Sequence, residues 1–405
     1  MENAAARMEK DIEMLSKISA PGPGVTRLPF TPEAKKTVEA LKWLMAEAGM
    51  EVRVDASEAV IGRLEGKRRE TILIGSHYDS VKNGGAFDGM SGVICGIETV
   101  RQLREAEIQP LYSVEVIAMN DEEGARFSSG FLSSKALLGE ITVDELKRLK
   151  DAAGISIYEA MEAYGADPDR IGEAVRELEG LKAFLEVHIE QGPILEANQK
   201  SIGIVDTIVG MKRRIITVKG RADHVGTTPM DMRIDAIEIA AKAVARLGDL
   251  AREYEHTVAT CGYFAPLPNA VNTVASEVKF SVDIRSTKLE NVDAVYHRFL
   301  AILDEEAARF KGSYSILETL TVDPVDMDEK LQGLIEDSCI QNGFAYQHIN
   351  SGAGHDSLPI GEKMPTAMIF VPSKKGRSHC PEEDTDCKYL AQAVAILKDV
   401  VLNLK

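Results

Sequence analysis

Residues 73–92 read LIGSHYDSVKNGGAFDGMSG, and the rest of the chain can be understood around this stretch. The apolar run at residues 71–74 predicts a buried strand that ends at a glycine. His77 and Asp79 follow two residues apart, so in extended chain their side chains share a face. A glycine-rich loop then leads to Asp88 and a helix. The pattern suits a metal ion, with Asp79 orienting His77, although a hydrogen-bonded loop alone would also produce a His and an Asp here.

The composition indicates a soluble globular protein of 405 residues with two domains. The net charge of -17 argues against nucleic acid and anionic membranes as partners, but one or two local arginines could still bind a small anion. Five scattered cysteines predict a reducing compartment without disulfides. The first residues read as an amphipathic helix and not as a signal peptide, and no apolar run is long enough for a membrane span. We therefore expect a cytoplasmic protein.

Strands and helices alternate in a way that predicts an α/β fold with a mostly parallel sheet. Residues 112–120 form a second strand that ends in Asp121-Glu122-Glu123, and residues 181–187 form a third that leads into His188. Ligands gather at the carboxyl ends of such strands. Residues 211–321 change to a βαββαβ order that predicts an inserted α+β domain with a four-stranded antiparallel sheet. Residues 1–210 and 322–405 would then form the catalytic domain.

Six polar side chains fall at strand ends or in adjoining loops: His77, Asp88, Glu122, Glu123, His188 and His379. Histidine nitrogens and carboxylate oxygens suit zinc, manganese or another divalent transition metal. Three histidines and two acids could hold two ions with one bridging carboxylate, which leaves one acid as a general base. Adjacent acids such as Glu122 and Glu123 are more often a solvated surface pair, but here they follow a buried strand directly.

Several motifs together resemble the hydantoinase/carbamoylase family of metal-dependent amidases, from about residue 20 to the C-terminus. They are GSHYDSVKNGGAFDG, NDEEGARF, HIEQGPILE, DHVGTTPM, PNAVNTV with VDIR, SGAGHDS and SHCPEE. This family belongs to the aminoacylase-like dinuclear metallohydrolases. The resemblance implies a catalytic domain of the zinc-aminopeptidase type, an inserted domain that closes over the site and forms a homodimer, and two divalent ions per subunit: zinc, manganese or cobalt.

The resemblance also implies residue roles in the catalytic domain. His77 and His188 would bind one ion, Glu123 and His379 the other, and Asp88 both. Glu122 would be the general base and Asp79 would orient His77. The Asp88–Gly89 peptide bond would be cis.

Further roles concern the substrate. His224 would stabilise the oxyanion, reaching across to the neighbouring subunit, and Asn272 and Arg285 would bind a carboxylate. Gln191 and the backbone of Gly354 would bind the ureido end. An alternative for Arg285 is an ion pair with an acid of its own domain.

The implied reaction is hydrolysis of a terminal ureido group, a non-peptide C–N bond, with release of ammonia and carbon dioxide. We expect allantoate as the substrate first, because of the arginine-containing segment 201–214 and SGAGHDS. N-carbamoyl-L-amino acids come second, and the ureidopropionase reaction is a further option. Met211 departs from the family's usual glutamine and weakens this order. Two other classes stay open: a dipeptidase or aminoacylase of the same superfamily, and a non-catalytic binding protein on this scaffold.

Overall fold

Residues 1–405 are described by the computed structural model, and the chain folds into two units. Unit 1 consists of residues 1–206, 326–349 and 354–405. Unit 2 consists of residues 207–325 and also takes residues 350–353, which the sequence placed in the catalytic domain. None of the helices is long and apolar enough to cross a membrane.

Fourteen strands form two sheets. In chain order they are β1 (Glu51–Val54), β2 (Val60–Leu64), β3 (Arg68–His77), β4 (Tyr112–Met119), β5 (Leu181–Ile189), β6 (Ile202–Ile208), β7 (Gly210–Lys219), β8 (Thr257–Thr260), β9 (Phe264–Leu267), β10 (Glu277–Ser286), β11 (Ser313–Val322), β12 (Val325–Asp326), β13 (Tyr346–Ser351) and β14 (Thr366–Val371).

Twelve α-helices connect and cover these strands. They are α1 (Glu2–Ser16), α2 (Pro32–Glu47), α3 (Met90–Glu105), α4 (Leu132–Leu138), α5 (Val143–Arg148), α6 (Ile157–Tyr164), α7 (Ile194–Ala197), α8 (Ala236–Arg252), α9 (Leu289–Arg309), α10 (Glu329–Asn342), α11 (Ser357–Gly361) and α12 (Cys387–Asn403). The helical region predicted for residues 134–180 consists of α4, α5, α6 and short 3-10 turns.

The sheet of unit 1 has the order β1-β2-β4-β3-β5-β14-β6-β12, and β13 also pairs with β6. The four central strands β4, β3, β5 and β14 are parallel, and antiparallel strands flank them on both sides. Every residue of β4 and the last seven of β3 are buried, as expected for strands covered by helices on both faces. The predicted α/β class with a mostly parallel central sheet is confirmed.

The sheet of unit 2 is antiparallel and has the order β11-β7-β10-β8, with β9 also on β10. Helices α8 and α9 bury their apolar residues in the same hydrophobic cluster as strands β7 and β10. The sequence predicted one strand for residues 257–264, whereas the structure has the two short strands β8 and β9. Between them the N–H groups of Gly262 and Tyr263 donate to the Ser281 hydroxyl oxygen and not to a backbone carbonyl, although the Ser281 N–H still donates to the carbonyl of Tyr263.

A candidate metal and catalytic site

Neighbouring parallel strands bring the predicted polar side chains to one edge of the unit 1 sheet. His77 is the last residue of β3, and His188 is the second-to-last residue of β5. Glu122 and Glu123 follow β4, and His379 follows β14. Since β4, β3, β5 and β14 run parallel and adjacent, their carboxyl ends meet. Residues far apart in sequence therefore share one cluster.

Asp88 lies between the three histidines of this cluster. Its Oδ1 is 3.1 Å from Nε2 of His188 and 3.6 Å from Nε2 of His77. Its Oδ2 is 3.0 Å from Nε2 of His379, and that nitrogen is 3.6 Å from Oε1 of Glu123. Asp88 therefore joins a His77–His188 pair to a Glu123–His379 pair.

The chemistry of these donors fits divalent cations. Nδ1 of His77 lies 3.1 Å from the backbone oxygen of Asp79, and Nδ1 of His188 lies 2.9 Å from that of Ile189. Those contacts favour a proton on Nδ1 of each ring, so that Nε2 is the atom that faces the Asp88 carboxylate and is available to a cation. Glu123 Oε1 is buried and makes no hydrogen bond. A cation at these atoms would take the place of the protons through which the histidine Nε2 atoms hydrogen-bond to Asp88, and it would give Oε1 of Glu123 a partner.

Burial and close contacts shift the pKa values of the charged groups in the cluster. Burial opposes ionisation of Asp88, but hydrogen bonds with His188, His379 and His77 hold its pKa well below the usual range. Burial, together with the Asp88 charge, raises the pKa of Glu123 to about 7. The hydrogen bond with Asp88 raises the pKa of His379 to about 9. The site thus collects carboxylates whose mutual repulsion a bound cation would relieve.

Glu122 is placed apart from the closest Asp88 contacts. It is 7% exposed, and its Oε2 lies 3.9 Å from Nε2 of His77. Burial raises its pKa well above that of an ordinary glutamate. A carboxylate with raised proton affinity beside a candidate metal cluster has the properties of a general base.

The carboxylate of Asp79 contacts the loop after β4. Oδ1 accepts a hydrogen bond of 3.1 Å from the Glu122 N–H, and Oδ2 accepts one of 3.3 Å from the Glu123 N–H. Its Oδ1 is 3.6 Å from Nδ1 of His77. Asp79 therefore holds the backbone of the two glutamates, and the orientation of His77 by its carboxylate stays a prediction.

Gln191 also lies in the cluster. Its Nε2 donates a 3.1 Å hydrogen bond to Oδ2 of Asp88 and lies 3.3 Å from Nε2 of His379. Gly354 lies against the ring of Phe131, since a Cβ added there would be 2.9 Å from Cζ of that ring, and the Phe131 N–H donates a 3.2 Å hydrogen bond to the carbonyl of Glu122. The ring of His355 lies 4.4 Å from the ring of His188, as suits its predicted supporting role.

One sequence-based expectation is wrong in the structure. The only cis peptide bond precedes Pro268, so the Asp88–Gly89 bond is trans. The turn into α3 is made instead by Gly89, which has φ 63° and ψ -52°. Only glycine adopts such angles without strain.

The other predicted substrate residues lie in unit 2. His224 bridges to Thr273, and the N–H of Val225 donates a 3.3 Å hydrogen bond to the carbonyl of Asn272, so His224 and Asn272 are neighbours. The N–H of Gly226 donates to Nδ1 of His224 at 3.1 Å, which favours the tautomer with a proton on Nε2.

Arg285, on β10, does pair with an acid of its own unit. Its Nε donates a 2.8 Å hydrogen bond to Oδ1 of Asp283, and its Nη1 donates a 2.7 Å bond to the carbonyl of Gly352. Arg213 binds Oδ2 of the same Asp283 at 2.7 Å. Two guanidinium groups therefore share one carboxylate and leave a net positive charge.

Sequence reasoning missed two residues of the cluster, Ser378 and Glu383. Ser378 Oγ lies 3.2 Å from Oδ2 of Asp88, and Glu383 accepts backbone hydrogen bonds from the Asp88 loop. Both belong to the SHCPEED segment. Adjacent acids after a proline usually lie on the surface, so the only signal available was their proximity to His379.

Comparison with known proteins identifies the family of the chain. Residues 73–403 match Peptidase family M20/M25/M40. The chain is 41% identical over 403 residues to an N-carbamoyl-L-amino-acid amidohydrolase of Paenarthrobacter aurescens, covering 99% of this chain and 98% of that protein. It is 34% identical to an allantoate amidohydrolase of Bacillus subtilis (strain 168), covering 97% and 96%.

A solved structure extends the similarity to the whole fold. A hydantoinase/carbamoylase family amidase from Burkholderia multivorans superposes with a TM-score of 0.91 at 30% identity, over 98% of this chain and 97% of that one. The chain therefore belongs to the hydantoinase/carbamoylase amidases of peptidase family M20/M25/M40, which are hydrolases of C–N bonds.

Proposed function

We propose that this protein hydrolyses the terminal ureido group of a small ureido acid, with N-carbamoyl-L-amino acids as the first candidates and allantoate as the second. The observation that carries the proposal is the buried cluster of histidines and carboxylates around Asp88, with Glu122 beside it. The relatives named above act on ureido compounds of these two kinds, which supports the substrate class.

Two divalent ions fit this cluster, with zinc, manganese and cobalt as the candidates. His77 and His188 would hold one ion, Glu123 and His379 the other, and Asp88 would contact both. Ions bound there would supply Lewis acidity toward the carbamoyl oxygen and would lower the pKa of water.

Glu122 is the proposed general base. It takes a proton from the attacking water and delivers it to the leaving nitrogen, so that R–NH–CO–NH2 and water give R–NH2, carbon dioxide and ammonia. Its buried position supports this role because the raised pKa of Glu122 makes the carboxylate a stronger base. Asp79 keeps the Glu122 backbone in place through its hydrogen bond to the Glu122 N–H.

Several of the residues proposed to contact the substrate belong to unit 2. Arg285 and Arg213 share Asp283, and the remaining positive charge suits a substrate carboxylate. His224 presents a donor at Nε2, the property needed to stabilise an oxyanion. Asn272 lies beside His224 and could bind the same substrate. Gln191 and the Gly354 backbone, in unit 1, are proposed to contact the ureido end.

The order of the two candidate substrates depends on the arginine-containing segment 201–214, which favoured allantoate in the sequence. Lys212 pairs with Asp293, Arg213 with Asp283, and Arg214 is buried and donates to the carbonyls of Arg213 and Leu320. These side chains have structural partners, so the basic run no longer argues for a particular substrate. The higher identity to the carbamoyl-amino-acid relative supports placing N-carbamoyl-L-amino acids first.

Ammonia release after loading with Mn²⁺ or Zn²⁺ tests the proposal. Allantoate and a panel of N-carbamoyl-L-amino acids should be compared by kcat/KM, with dipeptides and N-acetyl amino acids alongside. We expect the highest value among the N-carbamoyl-L-amino acids. A preference for allantoate would reverse the order, and a preference for dipeptides or N-acetyl amino acids would overturn the proposed reaction. Substrate binding without turnover would favour the non-catalytic alternative.

A further inference from the structure

Glu383 is a buried acid with no cation partner. It is 6% exposed, and it forms no ion pair with any lysine, arginine or histidine within 4.0 Å. Its neighbour Glu382 is the opposite case: its side chain is 62% exposed and pairs with Arg377 at 3.0 Å. A buried acid without a cation is costly unless hydrogen bonds satisfy it, so its contacts must account for its position.

Both carboxylate oxygens of Glu383 are used to join two loops. Oε1 accepts hydrogen bonds from the N–H groups of Phe87, at 2.9 Å, and Asp88, at 3.0 Å. Oε2 accepts a 2.7 Å hydrogen bond from the hydroxyl of Ser378. Asp88 and Glu383 are 295 residues apart in sequence. Glu383 therefore ties the loop that carries Asp88 to the loop that carries His379.

The Asp88 loop is shaped to receive this carboxylate. A Cβ added at Gly85 would overlap the Glu383 side chain, so only glycine allows the approach. Ser378 extends the connection, since its Oγ lies 3.2 Å from Oδ2 of Asp88 as well as 2.7 Å from Glu383. Glu383 therefore holds the backbone of Asp88, and Ser378 holds its carboxylate.

We propose that Glu383 is a positioning residue that holds Asp88 and His379 at the mutual distance required for binding two divalent ions, without itself contacting ions or substrate. The proposal rests on the proposed metal site. Residues that orient metal ligands commonly contribute about 10–100-fold to metal affinity. The negative charge of Glu383 beside the cluster acts in the same direction, because it favours bound cations.

Substitutions at Glu383 separate geometry from charge. In Glu383→Gln the amide oxygen can still accept from the Phe87 and Asp88 N–H groups, while the charge is lost. In Glu383→Ala both N–H groups lose their acceptor. Glu382→Gln is the matched control, because it removes the same charge from the adjacent, exposed position. Ser378→Ala removes the link through the hydroxyl.

The measurement is titration of the metal-free full-length protein with Mn²⁺ and with Zn²⁺ against a chromophoric chelator, with thermal melts of each apoprotein. We expect wild type and Glu382→Gln to bind two ions equally well. Glu383→Gln should bind about 10-fold more weakly, and Glu383→Ala more weakly still, with Ser378→Ala also reduced. If Glu383→Ala does not fold, Glu383→Gln decides.

The outcomes distinguish the two levels of the proposal. Wild-type affinity in Glu383→Gln with only a lower melting temperature would show a structural role and overturn the inference, while the metal site would stand. An equal loss in Glu382→Gln would also overturn it, since a general charge effect would then explain the result. A wild-type protein that binds no ions would contradict the metal site itself and this inference with it.

Discussion

At the scale of single residues, Glu122 can be tested apart from the metal ligands. Glu122→Gln keeps the size of the side chain but removes its basicity, so we expect metal content near that of wild type and kcat lower by roughly 10²–10⁴-fold. Metal content and turnover should be measured on the same preparations. Turnover close to that of wild type would contradict the base role, and loss of one ion would make Glu122 a ligand instead.

Arg285 is the residue for which two interpretations compete. As a carboxylate-binding group, Arg285→Ala should lose about 2 kcal/mol or more in kcat/KM, roughly 30-fold, on an acidic substrate but not on its neutral amide. Arg285→Lys should recover only part, because lysine lacks the planar fork. If pairing with Asp283 is its whole role, both substrates should be affected equally or the protein should unfold.

Arg213→Ala is the matched control for Arg285, because it removes the other partner of Asp283. In either single variant Asp283 keeps one arginine, which limits the loss of stability. We expect Arg213→Ala to change kcat/KM much less than Arg285→Ala. Equal effects of the two variants would show that the shared ion pair matters and not a specific contact of Arg285 with substrate.

At the scale of elements, the turn from the Asp88 loop into α3 depends on one glycine. Gly89 has φ 63°, and a Cβ there would overlap the His77 ring. Gly89→Ala should lose about 1–3 kcal/mol of stability from backbone strain alone and should lower metal affinity by displacing His77.

The matched control for Gly89 is Gly333, which lies in α10 with open space around its Cβ position. Gly333→Ala should raise stability by about 0.4–1 kcal/mol because alanine favours the helix. Thermal melts and Mn²⁺ titration of both variants test this. Unchanged metal affinity in Gly89→Ala would mean that the turn tolerates a side chain.

The sequence predicted those elements whose signals are local. The apolar runs predicted strands close to β3, β4 and β5, and hence the edge of the sheet at which His77, Glu122 and His188 meet, although β3 and β5 each extend two residues beyond their predicted ends. The break between β8 and β9 was missed because the hydroxyl that accepts the hydrogen bonds there belongs to Ser281, on a neighbouring strand. Strand β13 was missed because its sequence, YQHINS, is polar and it pairs with β6 from a distant part of the chain. Glu383 was missed for a similar reason, since the N–H groups of Phe87 and Asp88 that it binds lie 296 and 295 residues away in the chain.

At the scale of the whole molecule, bound metal should couple activity to stability. Ions that bind only the folded protein stabilise it by about 2.7 kcal/mol at a concentration 100 times Kd, and they would also relieve the repulsion among the buried carboxylates. Chelation should therefore lower Tm and abolish activity, and Mn²⁺, Co²⁺ or Zn²⁺ should restore both. Full activity in thoroughly metal-free protein would refute the two-metal site.

The last prediction concerns assembly. We propose a homodimer formed through unit 2, because β11 lies at the edge of its sheet, with β7 as its only neighbour, and its ten residues are mostly exposed, including Leu317 at 61%. An exposed edge strand with apolar side chains is a template for pairing, and a second copy related by a two-fold axis offers the complementary strand. Leu317→Lys should weaken the dimer, whereas Ile340→Lys, at an equally exposed position of α10 in unit 1, should not. Sedimentation velocity over a range of concentrations gives the association state of each. A monomeric wild-type protein would rule out the dimer. If Leu317→Lys stays dimeric while Ile340→Lys becomes monomeric, the interface lies in unit 1.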